Sequence, residues 1–170
     1  MRFGLVVFTT MMLAGSAAAQ HQHNQLPYAG LQQRGLKALS DQQLADLRAG
    51  RGMGLALAGE LNGYPGPSHV LELADQLQLS GEQRQQVQQL FDAMKAEATA
   101  VGGTLIEHEI QLDQEFADRR ISSASLARLT AQIGETQGKL RAVHLKYHLS
   151  TAALLTAEQR HRYAQLRGYL

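Results

Sequence analysis

Apolar residues fall into two long stripes in the second half of the chain. From Gly81 to about Ala117, Val87, Phe91, Met94, Ala98, Val101, Leu105, Leu112 and Phe116 step by three and four, with His108 between Leu105 and Leu112. From Ser123 to about Leu154, Leu126, Leu129, Ile133, Leu140, Val143, Tyr147 and Leu154 repeat the pattern. This spacing is that of amphipathic helices. The first would be roughly 55 Å long at 1.5 Å per residue. Asp118-Arg119-Arg120-Ile121-Ser122 reads as the turn, so the two helices fold back as an antiparallel pair. The fold class is therefore all-α, a long helical hairpin with short flanking helices. Those flanking helices are expected at 28–39, from Ser40 to Gly50, as a loose glycine-rich helix over 50–63, from a Ser68 cap to about Leu77, and after Thr156. Asn62-Gly63-Tyr64-Pro65-Gly66-Pro67 reads as a turn.

The amino terminus is of another kind. Arg2, the apolar run 4–14 and the small residues Gly15 to Ala19 have the order of a cleaved export signal. The run is too short to span a bilayer, which takes about 20 residues. Residues 1–19 are thus expected to be removed, after Ala19 or Ala18, leaving a histidine-bearing tail at 20–27 and one helical domain at 28–170. No later segment is apolar enough to span a membrane. Arg2 is one of 16 Lys and Arg, so the chain from Gln20 carries 15 charges of each sign. That balance argues against a nucleic-acid binder, which needs a basic excess. With no Cys, neither disulfides nor thiolate metal ligands are available.

Charge is segregated along the hairpin. Asp92 to Asp118 holds seven acidic residues and only Lys95 as a base, whereas Arg119 to the end holds nine bases against Glu135 and Glu158. The two helices attract one another, within a chain or between two copies.

A five-residue pattern, Leu-Ser/Thr-x-x-Gln, occurs at Leu39–Gln43, Leu79–Gln83 and Leu155–Gln159. Its plain meaning is a capping box, in which the hydroxyl accepts from the backbone N–H three residues on and the Gln returns to the cap N–H. Two copies, Leu79, Ser80, Gln83 and Leu155, Thr156, Gln159, head a long and a final helix. In this setting the chain resembles the Spy/CpxP family of exported helical proteins, which includes ZraP-like and CnrX-like metal-binding relatives. The resemblance implies a periplasmic location, a cradle-shaped homodimer, and an ATP-independent chaperone or envelope-stress role. Partners would be unfolded or misfolded envelope proteins and, as for CpxP-like members, a sensor kinase. No cofactor is required. The client surface would be the apolar-basic face of Leu126, Arg128, Leu129, Lys139, Leu140, Arg141 and Lys146.

The alternative is a heavy-metal sensor or resistance protein for zinc, copper, nickel or cobalt. His144 and His148 are four apart, so both imidazoles leave one helix face. That spacing offers two nitrogens to one ion. The same spacing also fits one packed and one solvated histidine. Folding the hairpin near residue 120 brings Asp92 and Met94 opposite this pair. His69 and Glu72 share a face of the preceding short helix and could join it. His108, replacing an apolar residue on the stripe, is expected to be a hydrogen-bonded core histidine. In the tail, cleavage after Ala18 would give Ala19-Gln20-His21, an amine, two amides and an imidazole that suit copper(II). Enzyme chemistry finds no parts: there is no Gly-x-Ser-x-Gly elbow, no His-Glu-x-x-His, no phosphate-cradling Gly-x-x-x-x-Gly-Lys and no Cys nucleophile.

Overall fold

A computed structural model describes residues 28–170. The expected export signal and the tail bearing His21 and His23 lie outside the described residues. Six α-helices follow a single 3₁₀ turn at Leu31–Gln33: α1 Asp41–Arg48, α2 Leu57–Glu60, α3 Pro67–Glu72, α4 Gly81–Ala117, α5 Ser123–Leu154 and α6 Ala157–Leu166. No strand occurs among the described residues. The hairpin of α4 and α5 is the body of the molecule, and both helices have the bounds their apolar stripes predict. Helices α1 and α3 lie mainly on α4, and α2 lies on α5.

Two clusters make the core. The middle of the hairpin closes around Ala98, Leu105, Ile106, Ile133, Leu140 and Val143, with Leu47 of α1 added from outside. The open end is sealed by Val70, Ala74, Leu77, Leu79, Val87, Leu155 and Tyr163. His108 is half-buried and pairs through Nδ1 with the Thr136 hydroxyl at 3.2 Å, as a hydrogen-bonded core histidine should.

The short elements depart from the sequence reading in three places. The expected helix over 28–39 is only the 3₁₀ turn: Gly30 at φ 87° stands before its first residue, and Arg34, extended at ψ 144°, ends it. The expected glycine-rich helix over 50–63 is a chain of turns with the single turn α2. Gly50, Met53 and Gly54 all have positive φ (65°, 44° and 78°), which a right-handed helix cannot continue through. At Gly50 a side chain is excluded twice over, by that φ and by the Lys95 carbonyl oxygen 2.7 Å from where a Cβ would sit. Third, α3 is capped by Gly66 with Pro67 at its first position, not by Ser68, and it ends at Glu72 before a turn over 73–78. Proline suits that first position because its missing N–H would be unpaired there anyway.

The repeated pentapeptide does more than cap. At all three copies the reciprocal capping bonds form, as between Ser80 and Gln83 and between Thr156 and Gln159. The second and third copies are also tied to each other. Gln83 Nε2 donates to Gln159 Oε1 (2.9 Å), and Gln159 Nε2 donates back to Gln83 Oε1 (3.0 Å). Each amide nitrogen then reaches a carbonyl of the other segment, Gln83 to Leu154 (2.8 Å) and Gln159 to Leu77 (3.3 Å). Every donor and acceptor of both amides is used, so the pair fastens the start of α4 to the start of α6. The first copy has no such partner. Gln83→Ala should therefore cost about 1–3 kcal/mol in urea unfolding, because it leaves half-buried polar groups unpaired. Gln43→Ala should cost only about 1 kcal/mol, the usual loss of a cap.

Candidate metal centre

The two histidines on α5 point into the protein. His144 is 2% exposed and His148 8%. Both line a cavity of about 330 Å³, walled by the Gly50–Gly52 turn, the start of α3 and the α4 residues Phe91, Met94 and Lys95. His69 also lines it, half-exposed at the rim. Of the residues the hairpin brings opposite, Met94 is buried in the lining, while Asp92 is exposed and accepts from Gln88.

The histidines differ in what holds them. His144 Nε2 is buried with no hydrogen-bond partner. Burial, and secondarily the neighbouring His148, pushes the His144 pKa below its ordinary value, so the ring stays neutral. A buried neutral imidazole nitrogen without a partner loses hydration and gains nothing in return. His148 is oriented instead. Its Nδ1 lies 2.7 Å from the Tyr64 carbonyl oxygen, and since a carbonyl only accepts, that nitrogen carries the proton. In the neutral tautomer this leaves the lone pair on Nε2. An Nδ1–H bond to backbone or carboxylate is the usual way a ligating histidine is fixed. Gly66 packs so closely on this ring that a Cβ there would lie 2.6 Å from Nε2.

Behind His148 sits a residue that sequence reading missed. Glu60, at the end of α2, is 5% exposed. One carboxylate oxygen is 3.6 Å from His148 Nδ1 and accepts from the Gly66 N–H at 3.1 Å. The other accepts from the Tyr163 hydroxyl and from the Tyr169 hydroxyl at 3.1 Å, with His69 Nδ1 at 3.6 Å and Arg167 Nε at 4.0 Å. Burial, and next Glu60 itself, hold the Tyr163 hydroxyl protonated. Glu60 thus joins α2, the α3 cap and the carboxyl-terminal segment around the back of the cavity. The sequence signal was a lone carboxylate in an apolar, glycine-rich stretch.

Glu72 stands elsewhere than its spacing from His69 suggested. It is on the exposed side of α3, accepts from the Ser68 hydroxyl at 3.3 Å and takes no part in the cavity. Among the described residues no group of three or more His, Asp or Glu is arranged to hold a metal ion. The donors at hand are the two imidazoles of α5 and the Met94 side chain, with His69 at the rim. The unpartnered His144 nitrogen, the pre-set His148 tautomer and the absence of a competing hydrogen bond all fit a metal ligand pair.

The expected client surface divides. Leu126, Arg128, Lys139, Arg141 and Lys146 are exposed on α5. Leu129 and Leu140 are not available to a client, being 1% and 3% exposed in the hairpin core; their place on the stripe faces α4. Lys139 pairs with Glu135 and Lys146 with Glu97, each at 2.7 Å.

The fold is that of a small helical protein built on one long hairpin, with two buried histidines on one face of α5. Residues 53–162 match the heavy-metal resistance family, and the chain belongs to it. Comparisons with curated proteins and with solved structures return no match. The matched span takes in the hairpin, the two paired motif copies and most of the cavity lining, but not the wall at Ala49 to Gly52. It leaves α1 outside. No helix among the described residues is long and apolar enough to cross a membrane.

Proposed function

We propose that the protein is an exported heavy-metal resistance protein that captures a metal ion in the α4–α5 cavity through His144 and His148. One observation carries this reading: His144 is fully buried with an unpartnered Nε2, beside a His148 whose free nitrogen is set by the Tyr64 carbonyl. The family membership supports it, and the amino-terminal pattern supports action in the periplasm. The role is one of binding, with no chemistry on the ion.

Metal titration of the wild type and of the His144→Ala/His148→Ala double variant tests this. The expected result is saturable one-site binding that raises the thermal midpoint of the wild type and is lost in the double variant. Helicity measured alongside separates loss of ligands from loss of fold, and His148→Gln, a gentler change, should weaken binding without altering the helical content. Unchanged affinity in a folded double variant would remove both residues as ligands.

A second reading, ATP-independent holding of unfolded envelope proteins by a homodimer, draws on one feature. Leu126, Phe116 and Leu149 are 39%, 53% and 58% exposed on the hairpin, beside basic α5 residues. In that reading, client aggregation followed by light scattering is suppressed equally by wild type and double variant. Regulation of a sensor kinase would be a further consequence of the same surface.

A further inference from the structure

We infer that the cavity selects a soft monovalent ion, copper(I) or silver(I), with Met94 of α4 as the third donor beside His144 and His148. The inference rests on the metal-binding reading and adds to it the class of ion.

Three observations lead there. The first is donor type. Met94 is 8% exposed and lines the cavity from the helix opposite the histidines. A thioether is a soft, uncharged ligand that favours copper(I), whereas carboxylates and water suit harder ions. No carboxylate lines the cavity, and the described residues offer no three-member His, Asp or Glu set of the kind zinc sites use.

The second is charge. Imidazole and thioether donors carry no negative charge, so they leave the ion with its whole charge. The cationic groups in the lining are Lys95, which has no ion-pair partner among the described residues, and Arg51, which pairs with Asp46 at 2.8 Å. Their repulsion doubles for a divalent ion, since Coulomb energy is proportional to charge. The buried anion nearest His148 is Glu60, 3.6 Å from its Nδ1, and Arg167 already shares it at 4.0 Å. At most one negative charge is thus near the pair, so a monovalent ion leaves less charge uncompensated than a divalent one.

The third is orientation. The Tyr64 carbonyl and Gly66 fix the His148 ring, and His144 Nε2 is buried with no hydrogen-bond partner. The cavity also has room for water or an exogenous ligand to complete the coordination.

The test is titration of the purified protein with silver(I), zinc(II) and nickel(II), followed by the ε-methyl resonances of methionine and by chelator competition. Silver(I) is expected to shift the Met94 methyl and to leave that of Met53, which is 41% exposed outside this cavity. Met94→Leu keeps the core volume, and it should lower silver(I) affinity by about tenfold or more, which is roughly 1.4 kcal/mol, with zinc(II) affinity unchanged. A Met94 methyl that silver(I) leaves in place, or tighter binding of zinc(II) or nickel(II) than of silver(I), overturns the soft-ion inference while the histidine site stands. No binding of any of the three ions overturns the metal-binding reading and this inference with it.

Discussion

Glu60→Ala is expected to lower the stability of the protein by roughly 3–5 kcal/mol, the size of effect found when one partner of a buried charged network is removed. The carboxylate accepts from the Tyr163 hydroxyl, the Tyr169 hydroxyl and the Gly66 N–H. Removing it leaves the buried Tyr163 hydroxyl without its acceptor and places the Arg167 charge beside a void. A typical domain is stable by only about 5–15 kcal/mol, so the variant should unfold far earlier in urea or heat. Glu60→Gln keeps the volume and one oxygen and should cost less. The amide also brings an N–H where the neighbours donate to the carboxylate, so a tyrosine hydroxyl has to turn round to accept it and the network is only partly restored. A second readout separates the local role from the global one. Glu60 lies 3.6 Å from the His148 Nδ1 that donates to the Tyr64 carbonyl, and it holds the N–H of Gly66, which packs on that ring; on the proposed metal reading, losing such outer support weakens binding by up to about 10–100-fold. Chelator competition on the Gln variant, at a temperature where it is folded, measures that factor. Wild-type affinity there would make Glu60 purely a clamp on the fold.

That this residue escaped sequence reading has a physical cause. Helices α4 and α5 are legible because their burial is periodic: each turn repeats the same instruction, and thirty residues of it overrule any single exception. The i, i+4 spacing of His144 and His148 is legible for the same reason, being local to one helix. Met94 was reachable by folding the hairpin about its turn. Glu60 has no period to belong to. Its partners Tyr163 and Tyr169 are more than 100 residues away in sequence, and the stretch carrying it is built from left-handed turns that have no repeating pattern. The same holds for the paired glutamines. Each capping box is visible alone, but the bonds between Gln83 and Gln159 depend on where α6 returns to the hairpin. Glu72 shows the opposite failure: its spacing from His69 was right for a shared face, yet that spacing says nothing of which side faces the cavity.

The adjacent glycines of α4 should respond to one substitution with opposite sign. In a helix interior Ala is better than Gly by roughly 0.8–1 kcal/mol, so either Gly→Ala change starts with that gain. At Gly103 nothing lies within 4 Å of an added Cβ, and the gain should be kept. At Gly102 the Cβ would stand 2.7 Å from the Leu47 carbonyl oxygen and 3.2 Å from its carbon. Both atoms are backbone, and no rotamer change relieves the clash. Forcing α1 away from α4 is overpacking, which costs about 1–3 kcal/mol, and it separates Leu47 from the cluster it completes around Ala98 and Leu105. The steric cost exceeds the helical gain, so Gly102→Ala is expected to lower the urea midpoint and Gly103→Ala to raise it. If both raise it, α1 rests on the hairpin loosely enough to shift, and Gly102 is not what sets its distance. If Gly102→Ala alone destabilises, close backbone approach explains this glycine better than a bend in the helix. The seating of α1 also reaches the metal centre, because the Gly50–Gly52 turn that follows it directly walls the His144 cavity. Weaker metal binding by Gly102→Ala, with affinity unchanged in Gly103→Ala, would show that α1 positions this wall.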